Sequence, residues 1–88
     1  MLNIKTEYEF LDACKVAVTD YTFAHTDNTD NVPEIFVYTV WYCKTLQNFK
    51  GLFSTTLRDG MYYECTYNGD KGELYLDAYK KFENKCIK

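Results

Sequence analysis

The sequence predicts an α+β domain in which an N-terminal helix packs on an antiparallel three- or four-stranded β-meander. Three observations carry that expectation. Phe10, Leu11, Cys14, Ala17, Val18 and Tyr21 recur at three- and four-residue spacing, the stripe of an amphipathic helix. Apolar and aromatic residues then crowd into short runs after Pro33. Between the runs stand two turn signals, Arg58-Asp59-Gly60 and Asn68-Gly69. The 88 residues suffice for one core, so 1–88 reads as a single small domain. A chain of this size buries only roughly 60–65% of the surface its unfolded form exposes, and association is a common remedy for the resulting marginal stability.

The helix is expected from Thr6 to His25. Thr6 and Glu9 have the spacing of a capping box, and Glu7, Glu9 and Asp12 suit the positive end of the helix dipole. The segment Asp27-Asn28-Thr29-Asp30-Asn31-Val32-Pro33 then ends the helix, and Pro33 biases the chain toward extended geometry. Strands are expected over Glu34–Lys44, Phe49–Leu57 and Met61–Tyr67. Gly60 supplies a left-handed residue to a three-residue loop between the second and third. Setting Leu57 opposite Met61 places Thr55 against Tyr63 and Phe53 against Cys65, which keeps the larger side chains together. Residues 73–85 are ambiguous. Leu74, Leu76 and Ala78 alternate with Tyr75, Asp77 and Tyr79 as a fourth strand would, whereas Leu74, Tyr75, Ala78, Tyr79 and Phe82 also fit a helical stripe. The preceding turn signal favours the strand, with a short C-terminal helix as the alternative for the Lys-rich tail.

The run Ile35-Phe36-Val37-Tyr38-Thr39-Val40-Trp41-Tyr42-Cys43 is apolar or aromatic on both faces, where a half-buried strand would alternate. Simple alternation assigns Val37, Trp41 and Cys43 to the core face, with Trp41 near Gly51. Their companions there are Met61, Tyr63, Cys65, Tyr67, Phe53, Thr55 and Leu57. Phe36, Tyr38, Val40 and Tyr42 then join Leu52, Tyr62, Tyr75 and Tyr79 on the other face, interspersed with Ser54, Thr56, Glu64, Thr66 and Asp77. One helix cannot cover both. With six Phe, nine Tyr and one Trp in the chain, this second face is the candidate contact surface. Tyr38, Tyr42, Tyr62, Tyr75 and Tyr79 are its candidate partner-binding residues, because interfaces are enriched in Tyr, Trp and Phe.

Other chemistry is sparse. The net charge is −3, with residues 1–34 holding seven acids against Lys5 and Lys15, and 35–88 holding eight bases against six acids. That balance argues against a simple DNA-binding protein, although Lys80, Lys81, Lys85 and Lys88 cluster at the C-terminus. Cys14, Cys43, Cys65 and Cys86 are far apart and form no C-x-x-C pair, so they read as reduced thiols acting as small apolar side chains. The single histidine, His25, suits a helix C-terminus. Asp27, Asp30 and Glu34 lack the ligand spacing of a calcium loop, and no glycine-rich phosphate loop occurs. Glu64 and Asp77 share a face but read as polar spacing. No cofactor, metal or catalytic residue is implied. No run approaches the roughly 20 apolar residues that span a bilayer, and Glu7 and Glu9 interrupt any signal-peptide core near Met1.

The segments Val40–Asn48, Ser54–Leu57, Asp59–Glu64, Thr66–Lys71 and Asp77–Lys81 resemble a family of small uncharacterised proteins encoded by phages and prophages of Gram-positive bacteria. The resemblance covers roughly the final half of the chain and transfers no functional residue. It implies a phage accessory protein in the host bacterial cytoplasm. Such a protein acts without catalysis by binding a host or phage protein, in host takeover or against host defence. The tyrosine face would supply the contact, either to that partner or to a second copy in a homodimer. The alternative expectation is a single-stranded nucleic-acid binder that stacks bases on the same rings, helped by the C-terminal lysines.

Overall fold

The computed structural model describes residues 2–25, 35–57 and 59–87. It shows the expected α+β fold: helix α1 (Glu7–His25), then strands β1 (Val37–Thr45), β2 (Asn48–Thr55), β3 (Met61–Asn68) and β4 (Glu73–Lys80). The strands form one antiparallel sheet in the order β1-β2-β3-β4. The segment expected to end the helix, with Asp27 and Asp30, and Glu34 next to it fall at 26–34, outside the described residues, as does Arg58. Among the described residues no helix is long and apolar enough to cross a membrane.

Helix α1 starts where its local chemistry dictates. The Glu9 N–H donates to the Thr6 hydroxyl at 3.2 Å, and the Glu9 carboxylate accepts from the Thr6 and Lys5 N–H groups at 3.0 and 3.2 Å. These backbone bonds hold the Glu9 carboxyl below its ordinary value, Lys5 first and Thr6 second. At the other end the His25 ring stacks on Tyr21, with centroids 4.0 Å apart, and its Nδ1 lies 2.8 Å from the Tyr21 carbonyl. An imidazole in the last turn adds a side-chain contact to a carbonyl near the negative end of the helix dipole.

The predicted stripe is the buried one. Phe10, Cys14 and Val18 are fully buried against Phe49, Phe53, Tyr63, Cys65 and Tyr67 on the inner face of the sheet. Phe10 stacks on Phe49 at 5.0 Å, and Tyr21 meets Tyr63 edge-on at 5.6 Å. Each such buried side chain contributes about 1.5–3 kcal/mol through apolar area removed from water. Tyr67 also ties down the chain before α1, since its hydroxyl donates to the Leu2 carbonyl at 3.0 Å and accepts from the Ile4 N–H at 3.2 Å. Cys14 and Cys65 sit buried side by side. Their mutual hydrogen bond, and then burial, push the Cys14 thiol up. Cys43 and Cys86 are exposed, so the small-apolar role expected of all four cysteines holds for only two.

The β2–β3 register differs from expectation by two residues. Phe53 lies opposite Tyr63 and Ser54 opposite Tyr62, and the connection is correspondingly longer. The loop has its own hydrogen bonds: the Ser54 hydroxyl donates to the Met61 carbonyl at 2.8 Å, and the Met61 N–H donates to Asp59 at 3.1 Å. Gly60 takes the expected left-handed conformation, with φ 71°. A two-residue slip preserves parity, so every side chain of β2 and β3 stays on its predicted face. Residues 73–80 form the favoured fourth strand. The C-terminal helix does not form: residues 81–87 are neither helix nor strand, and Phe82 and Ile87 are exposed. An apolar residue with nothing to pack against gives a helix no tertiary support.

Candidate protein-binding face

The outer face of the sheet is set by its register. Tyr38, Ser54, Tyr62 and Tyr79 are successive partners across β1, β2, β3 and β4, forming one row. The next row is Trp41, Leu52, Glu64 and Asp77, and the one after it Cys43, Lys50, Thr66 and Tyr75. Side chains directly opposite share a face, so these rows form a continuous surface. Helix α1 lies on the other side. Among the described residues nothing packs over the outer rings, and Tyr38, Trp41, Tyr75 and Tyr79 remain 44–53% exposed.

Four of the five predicted contact residues lie here. Tyr42 does not. A β-bulge between Thr39 and Trp41 leaves Val40 without an opposite residue and reverses the parity of the remainder of β1. Tyr42 consequently stands opposite Gly51 on the helix side, where Lys44 likewise reaches the Phe49 ring, 5.6 Å from its centroid. Trp41 and Cys43, expected in the core, come to the outer face. Alternation could not reveal this because both faces of the run are apolar, and either parity satisfies the pattern. The expected meeting of Trp41 with Gly51 is replaced by a backbone approach: a Cβ on Gly51 would lie 3.2 Å from the Trp41 carbonyl and 3.0 Å from the Phe53 ring.

The electrostatics of the face are uneven. Lys50 sits 3.8 Å from Glu64, and Lys81, two residues beyond Tyr79 with its N–H on the Gly60 carbonyl, follows the same face at the end of the sheet. Glu64 and Asp77 are direct cross-strand partners, as are Asn68 and Glu73. The Tyr75 hydroxyl donates to Glu73 at 2.6 Å, and that bond, followed by the charge of Glu73, raises the Tyr75 phenol above its ordinary value. Asp77 makes no ion pair with a described residue.

Clefts between the helix side of the sheet and its neighbouring segments include two beside the core. One, of about 400 Å³, lies between Ile4, Lys5, Lys44, Leu46, Gln47 and Phe49; the other, of about 260 Å³, lies between Tyr21, Thr22, His25, Asp59, Met61 and Tyr63. Neither contains a cysteine beside His25, the pairing that nucleophilic catalysis would need. No group of three or more His, Cys, Asp or Glu residues comes together among the described residues.

The sequence model of the family described as "Family of unknown function (DUF6275)" matches residues 11–88. The match covers helix α1 from Leu11 onward and all four strands. No curated protein and no solved structure matches.

Proposed function

The chain belongs to the family of unknown function DUF6275, and from that premise we propose that it is a non-enzymatic protein-binding domain whose contact surface is the outer sheet face. One observation carries the reading: Phe36, Tyr38, Trp41, Tyr75 and Tyr79 present large rings to solvent on a face that no described element covers. Four strands spaced about 4.8 Å apart, each of about eight residues rising about 3.3 Å, give a footprint of roughly 500 Å². Within that footprint the rings are interspersed with Ser54, Lys50, Glu64, Thr66 and Asp77, and aromatic side chains among polar ones are the composition of a protein contact surface. Burying tyrosine and tryptophan rings supplies contact area at low conformational cost.

The likeness to small phage and prophage proteins supplies the setting. In this reading the protein acts stoichiometrically in the bacterial cytoplasm, redirecting or inhibiting a host or phage protein, with host defence among the processes it could oppose. A homodimer through the same face is the self-associating form of the reading. Affinity capture from host lysate, with the molar mass of the purified protein measured in parallel, tests it. Tyr62→Ser/Tyr79→Ser should lose the captured protein while keeping the fold by circular dichroism, whereas Tyr42→Ser, on the opposite face, should retain it. Equal capture by the outer-face double variant overturns the reading.

A further inference from the structure

The charge of the outer face narrows what can cover it. Glu64 and Asp77 are directly opposed, and like charges so placed have Cβ atoms only about 5 Å apart and destabilise the free sheet. Lys50 offsets part of this from 3.8 Å, but it stands 49% exposed and reaches Glu64, not Asp77. Tyr62 and Tyr79 flank the carboxylates in one neighbouring row, and Thr66 and Tyr75 in the other. A cation placed here would meet carboxylates below it and the π-faces or edges of tyrosines beside it.

Two other occupants fit poorly. A second copy stacked face to face would bring six carboxylates together with four lysines, since each face holds Glu64, Glu73 and Asp77 with Lys50 and Lys81, and the excess stays negative. Single-stranded nucleic acid would bring phosphates to the same carboxylates. Of the lysines at the end of β4, Lys80 pairs with Met61 and belongs to the inner face, while Lys81 follows the outer face but stands beyond the Tyr62–Tyr79 row, four residues from Asp77.

We propose that the outer face docks a basic segment of a partner protein, with an arginine or lysine seated over the Glu64–Asp77 pair between the Tyr62–Tyr79 row and Tyr75. This rests on the protein-binding reading and adds the chemistry of the partner. Arginine suits the site best, because its planar guanidinium can bond two carboxylates while stacking on a ring.

The test titrates the isotope-labelled full chain with a short capped Arg/Tyr peptide, its Gln/Tyr and Glu/Tyr counterparts, and oligothymidylate, following backbone amides by NMR. The Arg/Tyr peptide should shift residues 62–66 and 75–79, and added salt should weaken it. Glu64→Gln/Asp77→Asn should bind it about tenfold or more weakly, the order expected for losing a charge-assisted hydrogen bond. Lys50→Gln should bind it more tightly, because Glu64 is then released to the ligand; mere structural damage would not strengthen binding. Equal binding of the Gln or Glu peptide on this face, or a dimer already covering it by sedimentation, overturns the inference but leaves the protein-contact reading standing. Preferential oligothymidylate binding, or no shifts on this face with any peptide, overturns the inference as well. The protein-contact reading itself fails only if capture is indifferent to Tyr62→Ser/Tyr79→Ser.

Discussion

The inner and outer faces of this sheet are built from similar residues and live in opposite environments. Phe49, Phe53, Tyr63 and Tyr67 on the inner face are at most 3% exposed, whereas Tyr38, Trp41, Tyr75 and Tyr79 on the outer face are 44–53% exposed. Composition does not separate them. Helix α1 does, because its stripe supplies Phe10, Cys14 and Val18 to one side only. An aromatic strand residue is thus a core residue or a contact residue according to what lies above it, and the hydrophobic gain is realised only where water is excluded.

Removing a ring should expose this difference most strongly. Phe53→Ala leaves a hole beneath the helix and should cost about 3–5 kcal/mol, enough to threaten a domain this small. The milder Phe53→Leu should cost less than about 1.5 kcal/mol and keeps the comparison measurable. Tyr79→Ala, which loses a cross-strand contact with Tyr62, should stay within about 1 kcal/mol. Urea denaturation measures all three, and a Tyr79→Ala cost matching that of Phe53→Ala would show that the outer face is not open.

Adding a methyl group should give a smaller contrast. On the inner face Gly51→Ala forces a Cβ to within 3.0 Å of the Phe53 ring and 3.2 Å of the Trp41 carbonyl. The expected cost is about 1–3 kcal/mol. On the outer face Thr66→Val in the adjoining strand should be nearly neutral, and thermal midpoints would compare the pair.

The smallest contrast is in alkaline titration. Burial pushes the Tyr63 phenol above its ordinary value, partly opposed by a hydrogen bond with Thr22. The folded chain therefore holds this proton more tightly than the unfolded chain does. The associated stability is whole below the ordinary tyrosine value of about 10 and is lost as pH rises through the higher folded value. Tyr63→Phe should flatten the alkaline limb of a stability–pH curve. Tyr75→Phe should change it less, because Tyr75 is raised by Glu73 at an exposed site where solvent screens the interaction. Equal effects would place Tyr63 in water.

Much of the fold was legible because local signals agreed with one another. Thr6 and Glu9 mark the start of α1, and the stripe from Phe10 to Tyr21 names its buried side. Alternation in β2, β3 and β4 assigns their faces even though the β2–β3 register was displaced by two, since parity survives an even slip. The candidate site was legible at Tyr38, Tyr62, Tyr75 and Tyr79 for the same reason. Trp41 and Tyr42 were exchanged because the bulge at Val40 leaves no trace in a run whose two sides are equally apolar.

The sequence by itself determined the helix, three strands and the faces of two of them, and favoured a fourth strand, since these follow from local capping, turn chemistry and hydrophobic period, whereas the strand order came from the pairing of the sheet. The tertiary structure alone decided the face of the second half of β1 and the side of the sheet that stays open. Both depend on how strands pair and where one helix rests, and neither is encoded in the periodicity of any single segment.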